Sequence, residues 1–122
     1  MPRYLRVQVL ATDSRVVQSA RALPTERFGA GFSSDRLHAL TRTDQGCDVV
    51  IAELSLEGFA FAKDLRDRPY GDSIAIILLC DREQDRWLCK QAGADEVIVK
   101  PLPDTSTLLR AVDAAVRTKN PS

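Results

Sequence analysis

The sequence is poor in the residues that build most transition-metal and nucleophile sites. It contains one histidine, His38, and three cysteines, Cys47, Cys80 and Cys89, none of them at metal-ligand spacing. Three cysteines cannot all pair with one another, so we expect a reducing cytoplasm in which they behave as small core residues. His38 has no cysteine or acid at ligand spacing, and we expect its side chain to be solvated.

An excess of charge of either sign is also absent. Lysine and arginine together number 17, and so do aspartate and glutamate. Nucleic-acid binding needs clustered positive charge, so we expect no nucleic-acid partner. The chain has no stretch of 18 apolar residues, and residues 1–4 lead into a strand pattern rather than a signal peptide. We therefore expect a cytoplasmic protein with no membrane partner.

Three familiar enzyme motifs are missing. The sequence has no GxGxxG, no phosphate-binding loop and no Ser-His-Asp arrangement. With a single histidine and no phosphate-cradling glycines, a flavodoxin-type cofactor enzyme is not expected. We predict neither a cofactor nor an enzymatic activity.

The most informative segment present is an apolar stretch that ends in an acid. Residues 48–54 read Asp-Val-Val-Ile-Ala-Glu-Leu, which is typical of a strand buried on both faces in a parallel sheet. Ligand sites of such sheets lie at the carboxyl ends of the strands. Glu53 is therefore either the centre of a site or the remnant of one.

Four further segments have the alternating or continuous apolar pattern of strands. The segment at 28–32 contains glycine, which favours an edge position. The segment at 74–80 is the most hydrophobic run in the chain. In chain order the five predicted strands cover residues 5–11, 28–32, 48–54, 74–80 and 96–99.

Helical spacing of apolar residues predicts a helix after each strand. The first helix is predicted to be capped by Asp13 or Ser14 and stopped by Pro24. The second is predicted to be capped by Ser33 or Ser34. Each choice rests on the preference of short polar side chains for the position before a helix.

The remaining three helices have equally local signals. A short helix is expected around 59–65, and a charged one from 83 to 92 that ends at Gly93. The last helix is predicted to be capped by Asp104, with 117–122 frayed. The alternation predicts a doubly wound, five-stranded parallel sheet with helices on both faces. We assign one domain to residues 1–118, and we treat 119–122 as a tail or the start of a linker.

Residues 92–101, Ala-Gly-Ala-Asp-Glu-Val-Ile-Val-Lys-Pro, resemble the strand-five signature of receiver domains of two-component response regulators. The resemblance covers nearly the whole chain. It implies a flavodoxin-like fold of strand order 2-1-3-4-5, and it implies a cis Lys100–Pro101 bond. Receiver domains accept a phosphoryl group from a histidine kinase on an aspartate at the end of strand three, assisted by magnesium.

This sequence departs from the family at most of its chemical positions. Only Asp13 and Lys100 match; Asp13 is left as a weak candidate metal ligand, and we predict no metal site. The other positions hold Thr12 in place of an acid, Glu53 in place of the acceptor aspartate, Cys80 in place of a hydroxyl residue, and Val97 in place of the aromatic switch residue.

These departures predict a degenerate phosphoacceptor site. The Glu53 carboxylate extends about one bond further than that of aspartate, and a misplacement of about 1 Å costs about a hundredfold in rate. A thiol at position 80 is a weak hydrogen-bond donor. Our hypothesis is that Lys100 pairs with Glu53 and Asp13; the alternative is a solvated Lys100. Whether Glu53 imitates a phosphorylated aspartate stays open.

We therefore interpret the chain as an atypical, phosphorylation-independent receiver domain that acts as a protein-interaction module in bacterial signalling. Expected partners are a histidine kinase, an output domain, another signalling protein or a second copy of the chain. Docking is expected beside strand five, on the helices that begin near Glu83 and Asp104, with Arg86, Trp87 and Val97 as candidate contacts. Trp87 is either an exposed anchor or a half-buried helix residue, and we favour the latter.

Two other functions stay open at this point. One is a working magnesium-dependent phosphoacceptor that uses Asp13 or another acid. The other is a domain that senses a small ligand between Asp13, Glu53 and Lys100. The connections after Glu53 and after Asp81, which form the rim of the site in the family, also look short.

Overall fold

The structure, a computed structural model, describes residues 4–119. Within that range one parallel sheet of five strands has the order β2-β1-β3-β4-β5. This confirms the flavodoxin-like, doubly wound fold. The strands are β1 Leu5–Leu10, β2 Phe28–Ser33, β3 Val49–Glu53, β4 Ala75–Cys80 and β5 Glu96–Val99.

Helices connect successive strands, and short 3-10 turns flank some of them. The helices are α1 Ser14–Arg21, α2 Arg36–Asp44, α3 Gly58–Arg66, α4 Arg86–Gln91 and α5 Thr105–Lys119. The 3-10 turns are Leu54–Leu56, Gly71–Ser73 and Glu83–Asp85. None of the helices in the described part of the chain combines the length and apolar character that a membrane span requires.

The interior strands β3 and β4 are buried along their whole length. Their side chains alternate between two apolar layers, because successive residues of a strand point to opposite faces. One layer lies under α1 and α5 and includes Val9, Ile51, Ile77, Val16, Leu108 and Val112. The other lies under α2, α3 and α4 and includes Val50, Ile76, Leu78, Leu40, Phe61 and Leu65. Each such side chain contributes about 1.5–3 kcal/mol through burial.

Two of the predicted helix caps are confirmed and one is wrong. Asp13 accepts the N–H of Arg15 before α1, and Asp104 accepts that of Thr107 at the start of α5, both at 2.9 Å.

The second helix is capped by Asp35 rather than by Ser33 or Ser34. Ser33 is unavailable as a cap because it is paired with Leu10 in the sheet and buried.

Three predicted helix boundaries are also corrected. The first helix ends at Arg21, ahead of Pro24, and α4 begins at Arg86 because Glu83–Asp85 form a 3-10 turn. The last helix is intact through Lys119, so fraying of residues 117–119 is wrong. Lys119 is the first residue of the predicted tail. Its Nζ lies 3.1 Å from Asp95 Oδ1. Residues 120–122 lie outside the described residues.

The amino edge of the sheet is held together by Arg66. Its guanidinium donates to the carbonyls of Gly71, Ile74 and Gly93 at 2.6–3.1 Å and to Asp95 Oδ2 at 3.0 Å. One side chain therefore joins the end of α3, the end of α4 and the starts of β4 and β5. Gly93 contributes through a left-handed backbone (φ +101°) that ends α4 and exposes its carbonyl.

Candidate functional site at the carboxyl edge of the sheet

Glu53 ends β3 and is 3% exposed. Its Oε1 accepts the main-chain N–H groups of Thr12 at 2.5 Å and of Asp13 at 3.1 Å. Its Oε2 accepts a hydrogen bond from the Nζ of Lys100. Both carboxylate oxygens are thus bound by groups of the chain itself, so Glu53 is anchored by the loop after β1 and by the end of β5.

Lys100 follows β5 and is the cation of this site. Besides Glu53, its Nζ lies 3.3 Å from Asp13 Oδ2 and 3.9 Å from Asp81 Oδ1. The predicted pairing with Glu53 and Asp13 is confirmed, and the solvated alternative is wrong. The Lys100–Pro101 bond is cis, the conformation that the resemblance implies.

The charges in this cluster shift the pKa values of Lys100 and Asp13 in the directions that keep both groups ionised. Burial lowers the pKa of Lys100, but hydrogen bonds and charge attraction from Glu53 and Asp13 outweigh burial and raise it above its ordinary value. The pKa of Asp13 is lowered, first by the N–H of Arg15 and also by Lys100, against a smaller effect of burial. Lys100 and Asp13 are therefore both charged at neutral pH.

The short connection after β3 packs closely against Glu53. A 3-10 turn, Leu54–Leu56, leads to Glu57 with a left-handed backbone (φ 59°), and α3 starts at the next residue. A Cβ at Gly58 would lie 2.5 Å from the Glu53 carbonyl oxygen, so glycine is required for this approach. The connection expected to be short from sequence is therefore tightly packed against the strand end.

The residues present do not fit a magnesium ion. Among residues 4–119 no group of three histidine, cysteine, aspartate or glutamate side chains is arranged to hold a metal ion. Magnesium needs near-octahedral oxygen ligands, whereas the carboxylates here converge on the ammonium of Lys100. Thr12 is exposed and contributes its main-chain N–H to Glu53.

The Cys80 thiol, at the end of β4, is buried and hydrogen-bonded within the chain. Cys80 is 1% exposed, and its Sγ donates to the carbonyl of Arg82 at 3.3 Å. Burial raises the pKa of Cys80, and it raises that of the fully buried Cys89 to about 12. Both cysteines pack in the layer under α2 to α4, which matches the expectation of small core residues. Half-buried Cys47 has a pKa of about 11, also raised by burial.

The proposed partner face next to β5 has an exposed aromatic residue. Trp87 is 66% exposed, so the favoured expectation of a half-buried tryptophan is wrong. The buried side of α4 is occupied by Cys89, followed by Ala92 three residues later, which leaves Trp87 on the outer side. Arg86 is exposed and pairs with Glu83 at 2.7 Å, whereas Val97 is partly buried against the core.

One member of the site escaped sequence reasoning. Asp81 comes directly after β4 and joins the cluster around Lys100, with a side chain that is 62% exposed. Its position after a buried strand, at the same edge as Glu53, is the signal that would have found it. His38 is exposed as expected, but its Nδ1 lies 2.6 Å from Ser33 Oγ.

Comparison with solved structures identifies the class to which this fold corresponds. The chain is similar to the chemotaxis response regulator CheY4 of Vibrio cholerae, with a TM-score of 0.80 and 21% identity over 93% of this chain and 98% of that one. It is similar to HP1043, an orphan response regulator of H. pylori, with a TM-score of 0.81 and 20% identity over 95% and 100%.

A third neighbour is a receiver domain whose structure contains magnesium. The receiver domain of the sensor histidine kinase PA1611 of Pseudomonas aeruginosa has a TM-score of 0.78 and 18% identity over 93% of this chain and 98% of that domain. That structure is described with magnesium coordinated in its active-site cleft.

The fold is that of response regulator receiver domains, as these neighbours show. A scan of protein-family models found no match to the sequence. A search of curated proteins likewise found no match.

Proposed function

We propose that this chain is a receiver-like domain that acts in bacterial signalling by binding another protein, without accepting a phosphoryl group. It has no catalytic role of its own in this proposal. The fold supports the signalling class, and the chemistry at the carboxyl edge of the sheet supports the loss of phosphotransfer.

The observation that carries this proposal is the engagement of the Glu53 carboxylate. In-line attack on phosphorus requires a carboxylate oxygen that is free, aligned and neutralised by metal. Here Oε1 accepts two main-chain N–H groups and Oε2 accepts Lys100. At 3% exposure the carboxylate has little access to a phosphodonor.

The partner surface is proposed to be the outer side of α4 together with β5. Trp87 supplies a large exposed aromatic side chain there, and tryptophan is enriched among residues that dominate binding energy. Exposed Arg86 lies beside it in sequence. A histidine kinase, an output domain, another signalling protein or a second copy of the chain would meet these side chains first.

Intact-mass measurement after incubation with acetyl phosphate and magnesium tests the loss of phosphotransfer. We expect no gain of a phosphoryl mass. A receiver domain that keeps the acceptor aspartate, treated in the same way, should gain it and serves as the positive control. A stable phosphoryl adduct on this chain would contradict the proposal.

Affinity capture from the native host tests the partner surface. Changing Trp87→Ala is expected to weaken capture of the partner by about thirtyfold, the effect of a residue worth about 2 kcal/mol. Leu37→Ala is the matched control, because Leu37 is 70% exposed but lies on α2. Equal capture by wild type, Trp87→Ala and Arg86→Ala would place the docking surface elsewhere.

A further inference from the structure

A small polar cavity lies between the edge of the sheet and the end of α2, outside the site around Glu53. We call it the β2 trough. Its volume is about 90 Å³, and none of its lining residues belongs to the cluster around Lys100. The lining is formed by Arg6, Val7, Gln8, Gly29, Gly31, Arg42, Gln45, Gly46 and Cys47.

The trough lies where β2 carries two glycines on the side that faces α2, with Ser33 as the one side chain of the strand on that side. Phe28 and Phe32 pack with the layer under α1 and α5, and the intervening Gly29 and Gly31 therefore point to the other face. A Cβ at Gly31 would lie 3.2 Å from Gln8 Oε1 and 3.3 Å from Arg42 Nη2. Gly31 is thus covered by a carboxamide and a guanidinium, whereas Gly29 is covered by the side chain of Tyr4.

Two guanidinium groups line the trough without carboxylate partners. Within residues 4–119 neither Arg6 nor Arg42 forms an ion pair. Arg6 Nη1 is 3.1 Å from the position that a Cβ of Gly46 would take. The nearby carboxylate of Asp48 already accepts the main-chain N–H of Arg6 at 2.9 Å. The lining therefore carries two arginines and no acidic residue, although the Asp48 carboxylate lies close to Arg6.

A buried carboxamide completes the lining. Gln8 is 4% exposed, and its Nε2 donates to Ser33 Oγ at 2.7 Å. Ser33 Oγ in turn lies 2.6 Å from His38 Nδ1. This chain of contacts orients the Gln8 carboxamide so that its oxygen lies near Gly31, on the trough side. An amide oxygen there accepts a hydrogen bond from a ligand that carries a hydroxyl group.

We propose that the β2 trough binds a phosphoryl group, either as inorganic phosphate or as a small phosphate monoester. Arg6 and Arg42 supply forked N–H donors that match phosphate oxygens. Gln8 accepts the hydrogen of a P–OH group, which inorganic phosphate keeps at neutral pH and which sulfate and a fully ionised monoester lack. At about 90 Å³ the cavity is several times larger than the roughly 10–15 Å³ that one water molecule needs, so it admits a small group such as a phosphoryl group.

This binding is independent of the proposed loss of phosphotransfer, because the two sites share no residue. Amide NMR spectra of the full chain, titrated with inorganic phosphate, glycerol phosphate and sulfate at constant ionic strength, provide the test. We expect saturating shifts of the Gly29, Gly31 and Gly46 amides with phosphate, and at least tenfold weaker binding of sulfate. Saturation by glycerol phosphate as well would show that the trough also admits esters.

Three variants separate specific binding from charge screening. Arg42→Ala should weaken phosphate binding by about tenfold or more, and Arg117→Ala, an exposed arginine on α5, should leave it unchanged. Gly31→Ala keeps both arginines but fills the floor of the trough, so it should also weaken binding. Its backbone is outside the left-handed region, and the atoms nearest to the added methyl group are side-chain atoms of Gln8 and Arg42, so the change falls on the trough lining rather than on the backbone.

The proposal would be overturned by shifts that grow linearly without saturation, or by equal affinity for phosphate in wild type and Arg42→Ala. Saturating shifts confined to the amides of Asp13 and Lys100 would also overturn it. Equal affinity for sulfate would remove Gln8 as the acceptor of a phosphate hydroxyl.

Discussion

Lys100 and Glu53 form an ion pair in which both side chains are largely removed from water. The Lys100 side chain is 13% exposed and that of Glu53 is 4% exposed. Pairs in such surroundings are screened less than surface pairs, and each charge depends on the other for compensation. The pair therefore ties the end of β5 to the end of β3 in the place where a receiver domain carries its phosphoacceptor chemistry.

Removing one partner of this pair should destabilise the fold strongly. We expect Lys100→Met to lower the free energy of unfolding by about 3 kcal/mol, because the Glu53 carboxylate would stay buried without its cation. Glu53→Gln should also destabilise, and the double variant should lose less than the sum of both changes. Urea denaturation measures all three. Lys63→Met, on the exposed side of α3, is the control and should change stability by less than about 0.5 kcal/mol.

The same pair predicts a loss of stability at alkaline pH. The pKa of Lys100 is raised above 10.5 in the folded chain, so the folded state holds this proton more tightly than the unfolded state. Its contribution is fully present below pH 10.5 and is lost as pH rises through the folded pKa. Unfolding free energies measured across this range should fall more steeply for wild type than for Lys100→Met. Parallel curves would contradict the assignment.

Arg66 should be among the most sensitive positions for stability. Its replacement by alanine removes donors from the carbonyls of Gly71, Ile74 and Gly93 and leaves Asp95, with a 9% exposed side chain, short of one partner. We expect a loss of about 3 kcal/mol in chemical denaturation.

Arg82→Ala is the matched control for Arg66→Ala. Arg82 also pairs with an aspartate, Asp85, but its side chain is 65% exposed. Surface pairs of this kind contribute little, so its loss should stay within about 0.5 kcal/mol. Similar losses for the two variants would show that the network around Arg66 is not what holds the amino edge of the sheet.

Trp87 should behave as a solvent-exposed side chain in the isolated chain. It is the one tryptophan in the sequence, so its fluorescence reports on this position alone. We expect emission typical of tryptophan in water and efficient quenching by acrylamide. Trp87→Phe should leave the unfolding free energy within about 0.5 kcal/mol of wild type. A blue-shifted, protected emission at low protein concentration would mean that the side chain is covered in the free chain.

The strands were predictable because their signals are local and strong. The segments that form β3 and β4 are continuous apolar runs separated by a predicted helix. This pattern predicts parallel strands that are buried on both faces. The cap of the second helix was missed for a local reason. Ser33, Ser34 and Asp35 are three adjacent residues with similar capping preference, and only the pairing of Ser33 with Leu10 selects Asp35.

The candidate site was predictable only in part. Thr12, Asp13, Glu53, Cys80 and Lys100 could be placed at one edge of the sheet, since each lies at the carboxyl end of a predicted strand or directly after it. The hydrogen bonds that Glu53 accepts from the main-chain N–H groups of Thr12 and Asp13 could not be predicted. A main-chain donor is present whatever side chain the residue carries, so the sequence does not mark it.

The contacts of Arg66 escaped for a different reason. Its partners Gly93 and Asp95 lie 27 and 29 residues away, and no local pattern marks such pairs. The exposure of Trp87 was not predicted because the buried residue of α4 is Cys89, and a residue two positions away lies on the opposite side of a helix.

A crystal structure determined with magnesium and beryllofluoride, an analogue of the phosphoryl group, tests the central claim most directly. The account predicts that Lys100 Nζ stays bound to Glu53 Oε2, that Glu53 Oε1 keeps the N–H groups of Thr12 and Asp13, and that no octahedral metal forms there. An octahedral magnesium ligated by Asp13 and Glu53, with beryllofluoride on the Glu53 carboxylate, would contradict it.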